Sequence, residues 1–217
     1  MPSPLVVLGG TFDPVHHAHL RTALEIQQLL GNDTVVHLMP SGDPRHRAAP
    51  HASALHRLEM LKLAVSGESR LVVSDMEVKR TGATYTVDTL EELRAKEGPD
   101  RPIIFVMGGD AFLSLPKWHR WVEIIRLAHI MVINRPNWSN IGQGELSEFL
   151  LRHNATSLNE LTELPSGRIA ECALTQLDIS STQVRTLLKA GQSPRFLIPD
   201  LVLDYIRSHH LYGSTDA

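Results

Sequence analysis

Short apolar runs alternate with amphipathic segments along this chain, and this alternation constrains its fold more than any other feature. The runs are typical of strands, and the segments between them carry apolar residues at helical spacing. Strands that alternate with helices form parallel sheets, because each helix returns the chain to the edge from which the strand started. The pattern therefore predicts an α/β protein: a Rossmann-like, doubly wound parallel sheet with helices on both faces. The predicted strands are residues 5–8, 34–39, 71–74, 103–107, 130–133 and 169–174, and the predicted helices are residues 20–30, 54–65, 87–96, 118–127 and 145–153.

Composition limits the classes of protein to which the chain can belong. With 217 residues, 42% of them hydrophobic, it can bury one substantial core. We expect a single domain over residues 1–217, with a helical part from about residue 178 packed on the sheet. A net charge of −3 argues against a nucleic-acid-binding surface. The one cysteine, Cys172, cannot form an internal disulfide and is interpreted as a small buried hydrophobe.

The sequence also bears on location. The chain starts without a basic segment followed by a long apolar stretch, and no apolar run approaches membrane-spanning length. We therefore expect no membrane association and a cytoplasmic protein.

Two stretches interrupt the alternation of predicted strands and helices: residues 40–53 are interpreted as an active-site lid, and residues 136–144 as a surface excursion.

The first predicted strand leads into a turn and a helix that together favour phosphate binding. The strand ends in Gly9, Gly10, Thr11 and Phe12, and the glycines allow a ligand to approach the main chain where parallel sheets bind ligands. His16 and His19 are three residues apart, so they share a face of the first helical turn, where free N–H groups also point. His17 falls on a different face and is interpreted as a solvated or packing histidine. The alternative for the pair is two surface histidines at a helix start. A zinc site is weaker, because no partner motif such as HExxH is present.

A second candidate phosphate site follows the last predicted strand. Ser180 and Ser181 are good helix-starting residues, and Arg185 lies one turn into the helix. Hydroxyls, free N–H groups and a guanidinium can therefore converge on one anion. A plain capped helix with a surface arginine would have the same local sequence.

The fourth predicted strand ends in a third candidate site. Gly108 and Gly109 allow close approach by an adenosine, and the Asp110 carboxylate can accept hydrogen bonds from ribose hydroxyls. Alternatively, Asp110 caps a helix that begins at Ala111. The two interpretations are compatible.

Residues 9–19 resemble the signature of the nucleotidyltransferase superfamily that carries the HxGH box, and in particular that of the bacterial nicotinate-nucleotide adenylyltransferases. Ala18 stands where the family pattern has Gly, and we expect its methyl group to be tolerated in a helix. The family's ISSTxxR box, which binds the triphosphate, resembles a segment of this chain that contains Ile179, Ser180, Ser181, Thr182 and Arg185. The resemblance extends over nearly the whole chain, from Val6 to Tyr212.

The resemblance also implies a set of residues that bind nicotinate mononucleotide. A Trp at the position of Trp118 stacks on the nicotinate ring in the family, although a Trp is usually ordinary core. The Tyr-Thr dipeptide of the family, whose Thr lies beside the pyridine carboxylate, is matched by Tyr85 and Thr86. A backbone N–H is the contact expected at His119, where many relatives have Tyr. The remaining matches are two residues of the loop, His46 and Arg47, and Arg135 after the fifth strand, for which a solvated basic loop is the alternative.

The function that the resemblance implies is adenylyl transfer. ATP and nicotinate mononucleotide would give nicotinate adenine dinucleotide and pyrophosphate in NAD biosynthesis, with Mg²⁺ carried by the triphosphate and no dedicated protein ligands for it. No Cys or Ser lies in a nucleophile motif, so direct in-line attack is expected. The histidines, Arg185 and the N–H groups of two helix starts would supply positive potential.

Other functions share parts of this pattern. A phosphopantetheine adenylyltransferase or a cytidylyltransferase would share the first box, although Trp118, Tyr85 and Thr86 argue against both. A non-catalytic nucleotide-binding sensor would have to keep both phosphate boxes without using them. A fragment of a tRNA-binding synthetase is opposed by the acidic net charge. The sequence leaves assembly into homo-oligomers open.

Overall fold

The computed structural model describes residues 3–31, 33–42, 49–134 and 144–214. Its strands are β1 (Leu5–Gly10), β2 (Val35–Pro40), β3 (Leu71–Val73), β4 (Ile103–Gly108), β5 (His129–Asn134) and β6 (Ile169–Ala173). Its helices are α1 (His17–Leu30), α2 (Ala54–Ala64), α3 (Met76–Lys79), α4 (Thr86–Glu97), α5 (Gly109–Leu113), α6 (Trp121–Leu127), α7 (Glu145–His153), α8 (Glu160–Glu163), α9 (Ser181–Lys189) and α10 (Asp200–Ser208). Single 3₁₀ turns occur at Leu115–Lys117 and Leu211–Gly213.

The strands form one parallel sheet in the order β3-β2-β1-β4-β5-β6. This is the doubly wound order, in which the chain proceeds outward from β1 in one direction and then from β4 in the other. The predicted fold class is confirmed, and each predicted strand is present with its ends shifted by at most two residues. The switch in direction lies between β1 and β4, where Val6 pairs with Ile104.

The core lies on both faces of this sheet, because successive strand residues point to opposite sides. Val6 and Leu8 of β1 pack with buried residues of α1, α2, α9 and α10. Leu5 and Val7 pack on the other face, with buried residues of α4, α6 and α7. The C-terminal helices therefore lie on the same face as α1, and Cys172 is a buried thiol of that layer, as predicted.

Local chemistry sets the helix ends, and it explains where the sequence prediction was wrong. The predicted helix 118–127 begins only at Trp121, because Arg120 adopts a left-handed conformation with φ 50°. The first helix begins at His17 rather than at residue 20, and His16 is its extended N-cap. The short helices α3 and α8, of four residues each, were not predicted because a single turn has no visible periodicity.

No helix in the described ranges is long and apolar enough to cross a membrane. His46, Arg47 and Arg135 lie outside the described residues, as do large parts of the two interrupting stretches.

Candidate active site

The candidate site lies where parallel strands end at one edge of the sheet. Gly10, the last residue of β1, is in register with Pro40 of β2, and Gly108 ends β4 beside it in the sheet. Doubly wound sheets bind ligands at this edge, at the switch point between the two halves. The first phosphate box and Gly108 therefore border the same crevice.

The two glycines of β1 leave room for two aromatic rings of the protein itself. A Cβ on Gly10 would lie 2.9 Å from the Phe12 ring, and one on Gly9 would lie 3.2 Å from the Phe105 ring. Phe12 itself is buried in the core with a left-handed φ of 51°. Its side chain therefore cannot contact a nucleotide, and any contact from Phe12 must come from its main chain.

The imidazoles of His16 and His19 form a stacked pair. Their ring centroids are 3.6 Å apart with an interplanar angle of 22°, and the edge of Phe12 packs on His19 with the centroids 4.9 Å apart. The His16 main-chain N–H donates to Nδ1 of His19 over 3.3 Å. Since Nδ1 accepts this bond, the proton of a neutral His19 is on Nε2, which can donate to a ligand.

Both imidazoles are uncharged at neutral pH in the substrate-free protein. Burial, followed by the charge of His17, lowers the pKa of His16 to about 4. Burial, followed by the charge of His16, lowers the pKa of His19 well below its usual value. In the free protein we therefore expect the rings to act as hydrogen-bond donors rather than cations. That the pair supplies positive potential to a bound triphosphate stays a prediction. Nδ1 of His16 is buried without a hydrogen-bond partner among the described residues.

The second box contacts the first through α9. Ser180 is the N-cap of α9, and its side chain accepts a hydrogen bond from the Gln183 N–H over 3.1 Å. The Ser181 hydroxyl donates to the carbonyl of Pro14 over 2.9 Å. Two sequence motifs more than 160 residues apart thus meet at the Asp13–Pro14 turn.

Arg185 carries the positive charge at this junction. Its Nη1 donates to the main-chain carbonyl of Asp13 over 2.7 Å, and its Nη2 donates to the Thr182 hydroxyl over 3.1 Å. The closest approach to the Asp13 carboxylate is 3.9 Å, and one fifth of the Arg185 side chain is exposed. The guanidinium is therefore oriented by neutral acceptors and keeps its charge available for an anion.

The Asp13 carboxylate is a functional element that sequence reasoning missed. One oxygen accepts from the main-chain N–H of His51 (2.8 Å), and the other accepts from the Ala52 N–H (3.1 Å) and from the Tyr212 hydroxyl (2.8 Å). Burial alone raises the pKa of Asp13, but the hydrogen bonds from His51, Tyr212 and Ala52 outweigh it and the pKa is lowered. The Asp-Pro turn was visible in the sequence; its partners, 38 to 199 residues away, were not.

A buried arginine also stabilises the turn that follows β1. Arg57 of α2 is fully buried, and its guanidinium donates to the carbonyls of Thr11, Ala52 and Gly42 over 2.8, 3.2 and 3.4 Å. It therefore ties the turn after β1 to the segments that flank residues 43–48.

The end of β4 offers an open main chain. Gly108 is exposed, and a Cβ built on it would meet no atom within 4 Å. Asp110 is exposed in the first turn of α5. The proposed cap at Asp110 for a helix starting at Ala111 is wrong, because α5 begins at Gly109 with Gly108 as its N-cap. Asp110 is thus exposed just beyond the carboxyl end of β4.

A group of aromatic side chains packs between β4 and the start of α4. Trp118 donates from Nε1 to the Ser114 hydroxyl over 3.2 Å, and its ring meets the edge of Phe105 at 6.5 Å. The ring of His119 lies 4.5 Å from that of Tyr85, which is the N-cap of α4, and Thr86 is the first residue of that helix. The four sequence-predicted residues of this group therefore lie together, and through Phe105 they connect to Gly9 of β1.

The described part of the chain contains no group of three or more His, Cys, Asp or Glu side chains that could hold a metal ion. The junction of the two boxes offers imidazoles, hydroxyls and a guanidinium, and the Asp13 carboxylate there is already occupied by hydrogen-bond donors.

Comparison with known proteins assigns the family. Residues 7–187 match the model of the cytidylyltransferase-like family. The chain is 60% identical over 215 residues to a Hahella chejuensis protein named "probable nicotinate-nucleotide adenylyltransferase", covering 99% of this chain and 98% of that one. It is 46% identical over 209 residues to a Marinobacter nauticus protein of the same name, covering 96% of each chain. The chain belongs to the nicotinate-nucleotide adenylyltransferase family.

Solved structures agree with this family at the level of the fold. The nicotinic acid mononucleotide adenylyltransferase of Plasmodium falciparum, solved in complex with NaAD, superposes with a TM-score of 0.73 at 18% identity over 98% of both chains. A Vibrio parahaemolyticus structure described as a "putative nicotinate-nucleotide adenylyltransferase" gives a TM-score of 0.62 at 18% identity, over 98% of this chain and 97% of that one. The resemblance drawn from the two boxes is confirmed: the chain is an enzyme of the nicotinate-nucleotide adenylyltransferase family.

Proposed function

We propose that this protein transfers the adenylyl group of ATP to nicotinate mononucleotide, giving nicotinate adenine dinucleotide and pyrophosphate in the biosynthesis of NAD. The observation that carries the proposal is the junction of the two phosphate boxes, where Ser181 and Arg185 of α9 both bond to the Asp13–Pro14 turn. A single triphosphate can contact both boxes only if they adjoin in this way. The names of relatives that span nearly the whole chain support the same reaction.

The proposed division of roles follows the geometry. His16, His19, Arg185 and the first turn of α9 hold the phosphates, since a helix start favours anions. The start of α1 contributes less than expected, because the His17 N–H already donates to the Leu197 carbonyl over 3.0 Å. Gly108 and Asp110 border the adenosine, with Asp110 accepting from ribose hydroxyls. Trp118, Tyr85, Thr86 and His119 form the pocket for the nicotinate.

The reaction proceeds in one displacement at the α-phosphorus. An oxygen of the mononucleotide phosphate attacks, the new phosphorus–oxygen bond forms, and the bond to the pyrophosphate breaks. The attacking oxygen is already ionised, so no general base is required. Negative charge moves onto the departing pyrophosphate, where the Arg185 guanidinium and the Nε2–H of His19 stabilise it more strongly than in the ground state.

Mg²⁺ would enter this site bound to the phosphates of ATP. Mg²⁺ usually binds through one or two carboxylates together with substrate phosphates and water. The donors at the junction suit phosphate oxygens rather than a metal, because the Asp13 carboxylate is saturated with hydrogen bonds. Held by the triphosphate, the ion would reduce the charge on the phosphates while the protein residues orient them.

Selection of the acid over the amide can come from α4. Thr86 begins this helix of 12 residues, whose unpaired N–H groups and positive dipole end favour a carboxylate. A carboxamide presents an NH₂ group to the same donors, so one or two would lose their partner. Since an unpaired buried donor costs about 1 to 3 kcal/mol, we expect a preference on the order of 10² to 10³ in kcat/KM for nicotinate mononucleotide.

A panel of acceptors tests the proposal. The purified protein is incubated with ATP and Mg²⁺ and, separately, with nicotinate mononucleotide, nicotinamide mononucleotide or phosphopantetheine, and the product is identified by mass. We expect nicotinate adenine dinucleotide with stoichiometric pyrophosphate. Transfer to phosphopantetheine alone, or no transfer to any acceptor, would overturn the assignment; equal use of the two mononucleotides would overturn only the account of selectivity.

A further inference from the structure

The C-terminal 3₁₀ turn at Leu211–Gly213 reaches the junction of the two phosphate boxes. Tyr212 lies in this turn with a left-handed φ of 60°, and its hydroxyl donates to Oδ1 of Asp13 over 2.8 Å. The turn also packs against α9, the helix that carries Arg185. Tyr212 is thus hydrogen-bonded to Asp13, the residue whose carbonyl orients Arg185.

The Asp13 carboxylate could compete with substrate for Arg185. Nη1 of Arg185 is 3.9 Å from Oδ2 of Asp13, close enough for a small rotation to produce a paired carboxylate and guanidinium. Such a pair would neutralise Arg185 and would be the strongest hydrogen-bonded partner available to it. In the structure, Nη1 instead donates to the Asp13 carbonyl over 2.7 Å.

Other donors occupy the carboxylate, and its approach to Arg185 stays at 3.9 Å, without a hydrogen bond between them. Oδ2 accepts from the His51 N–H over 2.8 Å and lies 3.2 Å from Nδ1 of His51. Oδ1 accepts from the Ala52 N–H over 3.1 Å and from Tyr212. The Tyr212 hydroxyl is the one side-chain donor on Oδ1 among the described residues, and it is the only one of these groups that can be removed by deleting a single atom.

We propose that Tyr212 is a positioning residue for the transfer reaction: its hydroxyl bonds to Oδ1 of Asp13, restrains the carboxylate from rotating Oδ2 toward Arg185, and thereby leaves the Arg185 guanidinium available to the triphosphate. This inference rests on the role given to Arg185 in the proposed function. It assigns to the C-terminal turn a part in catalysis that does not require contact with substrate.

The test is a double-mutant cycle with Tyr212→Phe and Arg185→Ala, measured as kcat and KM for ATP. Removing a hydrogen bond to a charged group changes an equilibrium by about tenfold, so Y212F should lower kcat/KM for ATP by about that factor. In the R185A background, the same substitution should have no further effect, because the residue through which it acts is absent. Tyr205→Phe is the matched control: it removes an equivalent hydroxyl, bonded to Nδ1 of His56 over 2.9 Å, and should leave kcat/KM within about twofold.

The outcomes separate this inference from the proposed function. A Y212F loss that persists in full in the R185A background would show that Tyr212 acts elsewhere, and would overturn the positioning role while leaving Arg185 in place. Normal kinetics for Y212F would also overturn the positioning role. So would a Y212F protein that circular dichroism and thermal unfolding show to be unfolded. Normal kinetics for R185A would overturn the role of Arg185 as well.

Discussion

The two phosphate boxes meet at one turn but are built in opposite ways. His16 and His19 are stacked against each other and against Phe12, and burial keeps both rings uncharged. In the second box, Ser180 and Thr182 are exposed, and Arg185 carries its charge on a long side chain held by a carbonyl and a hydroxyl. The packing of the fold orients the first box, whereas the second depends on individual hydrogen bonds. The first is therefore suited to precise donation in the transition state, and the second to attracting the triphosphate.

Substitution of His19 should have the largest effect, because its donor is fixed in place before substrate arrives. Loss of one preorganised donor lowers kcat by roughly 10²-fold or more, so we expect that loss for His19→Ala, with KM for ATP little changed. His17→Ala is the control, since His17 lies outside the stacked pair. Steady-state kinetics of the folded variants decide the point: a near-normal kcat for His19→Ala would remove His19 from the catalytic residues.

Substitution of Arg185 should affect binding as well as the chemical step. We expect Arg185→Ala to reduce kcat/KM for ATP by roughly 30-fold, divided between a higher KM and a lower kcat, because a guanidinium attracts the triphosphate in both states. Arg195→Ala is the matched control, as Arg195 is an exposed arginine whose partner is Asp200 at 3.1 Å. If the loss for Arg185→Ala were confined to kcat, the contrast between the boxes would not hold.

The same contrast explains how much of the site could be predicted from sequence. The glycines, His16 and His19 form a local pattern, so residue spacing was enough to propose them. The serines of α9 were proposed only with the help of the family resemblance, because a plain capped helix has the same local sequence. The strands were predicted because each is a short apolar run, but their order in the sheet depends on packing between distant segments. The Asp13–Tyr212 bond joins residues 199 positions apart, and no local pattern records it.

Backbone conformation was a second limit on prediction. Arg120 has a left-handed φ of 50°, which delays α6 although its sequence has helical spacing. Phe12 has the same type of conformation, with φ 51°, and turns its ring into the core beneath Gly10. The Phe12 side chain therefore serves packing, and the predicted nucleotide contact of this residue is left to its main chain.

The buried state of the first box should be measurable as a dependence of stability on pH. The unfolded His16 has the usual pKa of about 6.5, whereas burial lowers the folded value to about 4. Between these values the unfolded chain binds a proton that the folded chain does not, so the free energy of unfolding falls as the pH falls. From pH 7 to pH 5, wild type should lose about 2 kcal/mol more than His16→Gln.

Denaturant unfolding of both proteins at the two pH values gives this difference. Equal losses in wild type and His16→Gln would mean that His16 is not held uncharged by burial.

Substitution of Trp118 tests a residue that belongs to neither phosphate box. Loss of a stacking ring typically costs about 1 to 3 kcal/mol per base, so Trp118→Ala should raise KM for nicotinate mononucleotide roughly tenfold. KM for ATP should be unchanged, and the ratio of kcat/KM for the acid and amide mononucleotides should be preserved, since a flat ring serves both bases. An increase in KM for ATP of the same size would place Trp118 on the nucleotide side.

The central claim is that both boxes hold one triphosphate while the mononucleotide attacks its α-phosphorus directly. The most direct measurement uses ATP made chiral at that phosphorus by sulfur substitution, with nicotinate mononucleotide as acceptor, and determines the configuration of the thio-dinucleotide formed. A single in-line displacement inverts the configuration, and inversion is the result that we expect. Retention would require an adenylyl-enzyme intermediate, and would contradict the account.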